Sequence, residues 1–79
     1  MKTVVFYLNN DDCSGVFSTF EKAEQSLKNC ATRCDWVLVS DQQLDDFTWG
    51  YRYVKYWKGS ELKIEASIEA FIIDEDNGV

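Results

Sequence analysis

Between Leu62 and Ile73, apolar side chains return at every second position. Leu62, Ile64, Ala66, Ile68, Ala70 and Ile72 alternate with Lys63, Glu65, Ser67, Glu69, Phe71 and Ile73. Period two is strand geometry, because successive side chains of an extended chain point to opposite faces. On a helix the same set would scatter around the axis. A strand of this length with one apolar face needs neighbouring strands, and it needs a second layer to cover that face. The covering layer therefore has to come from the rest of a 79-residue chain, which is the size of one small domain spanning 1–79.

One segment has the right period for that layer. Phe20, Ala23, Leu27, Cys30 and Cys34 recur at helical spacing, with Glu21, Lys22, Glu24, Gln25 and Lys28 on the other faces. Ser18-Thr19-Phe20-Glu21 fits a capping box, with Ser18 as the cap and Glu21 bonding back. The remaining segments are extended. Thr3 to Asn9 is β-branched and aromatic, Asn9 to Asp12 is a turn signal, and Gly15-Val16-Phe17 is a short second strand. Asp35 to Val39 forms a continuous apolar run, which places it centrally in the sheet. Ser40 to Asp46 is polar and is expected as a single helical turn. Tyr51 to Trp57 is the fourth strand. Residues 74–79 form an acidic tail that is expected to fray. The expected fold is α+β, with four to five antiparallel strands, the order ββαβββ, and one helix on one face.

The turn between the last two strands decides which side chains face the helix. A three-residue turn at Lys58-Gly59-Ser60 pairs Tyr56 with Leu62 and Val54 with Ile64. Tyr51, Tyr53, Lys55 and Trp57 then lie on the open face with Lys63, Glu65, Ser67 and Glu69.

The chain offers little to catalysis. It has no histidine, which removes the commonest general base near neutral pH and the commonest metal ligand. Its three cysteines, Cys13, Cys30 and Cys34, match no zinc spacing. Cys30 and Cys34 read as small apolar residues of the helix face, and Cys13 as an exposed loop thiol. Glu65 and Glu69 stand about 13 Å apart along a strand, too far for paired acid and base work. Asp41, Asp45 and Asp46 lack the glycine and terminal glutamate of a calcium loop. The four glycines are scattered and form no phosphate-binding loop. The reading is of a protein that is not an enzyme and needs no cofactor or metal.

The net charge is −6. Direct binding to nucleic acid is disfavoured, because phosphates call for Lys and Arg. The acidity either serves solubility alone or draws the domain to a basic protein surface. The apolar run Val4 to Leu8 is too short for a signal-peptide core, and no run approaches the ~20 residues of a membrane span. A cytoplasmic location without membrane contact is therefore expected.

Two pieces of the sequence carry a resemblance. The segment "VVFYL" followed by "GVFSTFEKAEQSL", and the later "SIEAFIIDED", resemble a group of small proteins from phages and bacterial mobile elements. In that group a first strand leads into G-[VI]-[FY]-S-x-x-x-K-A, and a final strand ends in acidic residues. Gly15, Val16, Phe17, Ser18, Lys22 and Ala23 match the first part; Ile68, Phe71 and Asp74 match the second. The resemblance covers about a third of the chain. It implies the fold and a phage-like context, and no catalytic residues.

Aromatic and charged residues on an open sheet face suit protein binding. The expected function is a non-enzymatic acidic binding module, an inhibitor of a host nucleic-acid-processing or defence protein, with its acids imitating DNA phosphates. The expected contact residues are Tyr51, Tyr53, Trp57, Glu65, Glu69, Asp41, Asp45 and Asp46. The alternative is a self-associating structural or accessory domain that forms a homodimer and has no charge-driven target.

Overall fold

The computed structural model describes residues 2–74, and side chains as far as Ile73. In chain order the elements are β1 (Lys2–Asn9), β2 (Gly15–Phe17), α1 (Phe20–Arg33), β3 (Val37–Asp45), β4 (Thr48–Trp57) and β5 (Ser60–Asp74). The five strands make one antiparallel sheet in the order β2-β1-β5-β4-β3, with the helix on one face. The fold is α+β, as the strand and helix periods require. Beyond Asp74, the expected tail lies outside the described residues.

The helix forms where the apolar spacing placed it. Ala23, Leu27 and Cys30 are buried, Ala31 joins them, and Phe20 and Cys34 pack at the margin. The cap is one residue later than expected. Thr19, not Ser18, is extended at the N-cap, and its hydroxyl accepts from the Lys22 backbone N–H at 3.1 Å. Ser18 instead receives the Lys22 ammonium at 3.2 Å. Both hydroxyls precede the helix, and the one at the bend satisfies an otherwise orphaned N–H.

β5 is the spine of the sheet. It pairs with β1 along residues 67–74 and with β4 along 60–69. Leu8, Leu27 and Ile68 are fully buried and hold sheet and helix together. Leu8 stands directly across from Ile68, and Phe6, Phe20 and Trp49 cluster beside them, with 4.6 Å between the Phe20 and Trp49 ring centres. The fourteen-residue helix is about 21 Å long. The molecule extends 57 Å, so much of the sheet's length has no helix above it.

The β4–β5 turn corrects the expected register. The turn has two residues, Lys58 and Gly59, with φ of 49° and 80°. Positive φ at both central positions is the hairpin geometry that matches strand twist. Trp57 pairs with Ser60, Lys55 with Leu62, Tyr53 with Ile64 and Tyr51 with Ala66. The face of β5 expected to be buried does meet the helix. The partner face of β4 is the opposite of the expected one, and it carries Tyr51 and Tyr53 into the core.

β3 is corrected more thoroughly. It is not central but an edge, and residues 40–45 are extended rather than helical. Its register slips between Leu38 and Ser40 and again between Gln43 and Asp45, leaving Val39 and Leu44 as bulge residues. Asp35 turns the chain from helix to strand with φ of 59°. Trp36 is buried, with its ring centre 5.8 Å from that of Tyr53.

Candidate functional site

The expected contact residues fall into separate groups. Tyr51 and Tyr53 are each only 5% exposed, so the open-face position expected for them is corrected. The Tyr51 hydroxyl donates to Glu24 Oε2 at 2.9 Å, which ties β4 to the helix. Burial raises its pKa first, and the Glu24 carboxylate beside it adds to the rise. Burial also raises Tyr53, with further contributions from Glu24 and Asp41. Both phenols therefore remain neutral structural groups at ordinary pH.

Trp57 is exposed at the end of the β4–β5 hairpin. The Lys55 and Lys58 ammonium groups lie 6.0 and 5.6 Å from its ring centre, a cation–π arrangement. Glu65 and Glu69 lie on the face away from the helix, opposite Arg52 and Thr48 respectively on β4. Asp41 lies on the helix-side face of β3, opposite Tyr51. Asp45 and Asp46 are at the β3–β4 turn, where Asp45 accepts the Phe47 N–H at 2.8 Å. The carboxylates thus form one set along the β3 edge and another on the far face.

The largest exposed feature is β3 itself. All nine of its residues are exposed, and among the described residues no strand lies outside it. Val37, Leu38, Val39 and Leu44 stand open along it, with Phe47 just beyond its end. Sequence reasoning missed Val37, Leu38 and Val39 because that run resembles a buried central strand, and Leu44 because it lies in a polar segment expected as a helical turn. The corrective signal was present in Ser40-Asp41-Gln42-Gln43, since a strand continuing into four polar residues cannot be enclosed on both faces. An edge strand presents unpaired backbone donors and acceptors, which makes it a template for another strand. Here charge and two bulges accompany those groups, and the exposed apolar residues remain available.

The cysteines behave as packing residues. Cys13 is half-buried against the core, which corrects the expected exposed loop thiol. Asn10 Oδ1 accepts from its backbone N–H at 3.2 Å and from its thiol at 3.7 Å. Burial and the neighbouring Cys30 thiol push the Cys13 pKa up to about 12. Burial likewise raises Cys34, with Cys30 adding to it. A thiol held protonated is a poor nucleophile and metal ligand. Among the described residues no three Cys, Asp or Glu side chains are grouped to hold a metal ion, and no helix is long and apolar enough to cross a membrane.

The fold and surface therefore define a one-helix α+β domain with an open sheet edge. No family model, curated protein or solved structure matches the chain.

Proposed function

We propose that the protein is a non-enzymatic binding module whose working element is the β3 edge. The edge would take an extended strand from a partner protein by main-chain pairing. The observation that carries this reading is the exposure of β3 along its whole length at the sheet margin. Side chains select the partner. Val37, Leu38, Val39 and Leu44 favour apolar residues, and Asp41, Asp45 and Asp46 favour basic ones. A host protein with a basic, nucleic-acid-binding surface has this chemistry, and occupation of such a surface would inhibit it. Imitation of a phosphate row suits the arrangement less well, because the carboxylates are divided between edge and far face.

The test uses a synthetic ten-residue peptide of alternating valine and lysine, with hydrogen exchange as the readout. Amides of Val37–Asp45 should gain protection when the peptide binds. Affinity should fall as salt rises, since exposed charge pairs are screened. The double variant Val39→Lys/Asp41→Lys alters two exposed positions and should abolish binding. Protection that maps to the helix or to residues 55–62 instead would sink the reading.

A further inference from the structure

The two ends of β4 differ sharply in charge. β3 begins opposite Val54, and β1 ends opposite Ser67 on β5. Residues 55–62 consequently project as a two-stranded ribbon with no flanking strand among the described residues. Exposed Tyr56, Trp57 and Leu62 lie on this ribbon. Along residues 52–63, Arg52, Lys55, Lys58 and Lys63 are opposed by Glu61 alone. At the other end of β4, the turn from β3 carries Asp45 and Asp46 beside exposed Phe47. In a protein of net charge −6, half of the eight basic residues are concentrated around this ribbon.

We infer that the first occupant of the β3 edge is the β3 edge of a second copy of this chain, in a two-fold antiparallel dimer. This rests on β3 as a strand-accepting edge and names the partner. The charge arrangement is self-complementary under that symmetry and under no parallel one. An antiparallel two-fold carries the acidic turn of each copy toward the basic ribbon of the other, twice per dimer. A two-fold at Gln42 sets Gln42 against Gln42 and Asp41 against Gln43. A two-fold at Asp41 would instead set two carboxylates face to face, at a cost. With the axis at Gln42, Asp46 of one copy comes level with Leu38 of the other. Leu38 pairs with Tyr53, so Lys55 is then two strands away and two residues further along, about 12 Å at the usual strand spacing and rise, and its long stem spans about half of that gap. The paired edges join two five-stranded sheets into one. Each apolar edge residue gains cover, and the β3 edges of both copies are paired, leaving β2 as the margin at each end of the joined sheet.

Sedimentation velocity from micromolar to submillimolar protein provides the test, at low and at high salt. The wild type should form a dimer that weakens with salt. Lys55→Glu places a carboxylate near Asp46 at both ends and should weaken the dimer about tenfold at low salt. The double variant Lys55→Glu/Asp46→Lys should restore it. Asp46 is exposed, whereas Lys55 is half-buried with its ammonium beside the Trp57 ring, so circular dichroism and thermal melts of each variant establish that the fold is kept. A wild-type monomer at every concentration, a dimer indifferent to Lys55→Glu, no rescue by the double variant, or assemblies that grow beyond the dimer would each overturn the inference. The valine-lysine peptide separates the two levels. If the protein is monomeric yet the peptide protects β3, the dimer fails and the strand-accepting edge stands. If the peptide also leaves β3 unprotected, both fail.

Discussion

The Tyr51 hydroxyl reaches the Glu24 carboxylate at 2.9 Å and is the polar tie between β4 and the helix. Tyr51→Phe keeps the ring and removes the bond, leaving Glu24 still paired with Lys28 at 3.6 Å. We expect a loss of about 1–2 kcal/mol in urea unfolding, because a bond to a charged acceptor is worth more than a neutral one. The same residue contributes to alkaline sensitivity. Cys13 rises from 9.0 to about 12 in the folded chain, and Tyr51 and Tyr53 rise above 10.0. Between the ordinary and the raised values the folded state holds more protons than the unfolded one, so stability must fall as pH rises. Stability from these groups is fully present below about pH 9 and is lost progressively above it. Melting temperatures at pH 8 and pH 10.5 should show the drop, and Tyr51→Phe should have a shallower one.

Among the elements, the β4–β5 hairpin sets the face of everything on β4. Its two-residue turn depends on Gly59, which sits at φ 80° with open space around it. Gly59→Ala meets no clash, so its cost is backbone strain alone, about 1–2 kcal/mol. That loss should appear in thermal melts with hydrogen-exchange protection of the helix retained, because the substitution acts on the turn and not the core. The helix itself was legible in the sequence because Phe20, Ala23, Leu27 and Cys30 repeat on one face over three turns. Its cap was legible only to within a residue, since Ser18 and Thr19 have the same capping chemistry and the local bend chooses between them. For β3, an apolar run of three residues is consistent with both a central strand and an edge.

At the scale of the molecule, a thin core serves a long sheet. Leu8, Leu27 and Ile68 are the fully buried large side chains, and they meet where β1, β5 and the helix cross. Ile68→Ala should cost about 2–5 kcal/mol by transfer and cavity terms. A domain of 79 residues has about 4–12 kcal/mol in all, so the variant is expected to melt far below the wild type. Calorimetry checks this, with Ile72→Ala as the control: Ile72 lies on the same face of β5 but is exposed, and its loss should be small.

The division between sequence and tertiary structure follows the range of the forces involved. Strand period on β5, helix period on α1 and the turn residues of the β1–β2 loop are local, and they determined the α+β class and the element order. The absence of histidine from the chain was equally plain. The register of the last hairpin was not local in this sense. It depended on one turn residue more or fewer, and both choices leave an apolar row on β5. Only the packed structure decided that Tyr51 and Tyr53 turn inward under Trp36 and Glu24, and that Trp57 remains outside. The order of strands was likewise settled by pairing across the whole chain. That order left Val37–Asp45 at the margin, because the spine β5 has two sides and β1 and β4 occupy both.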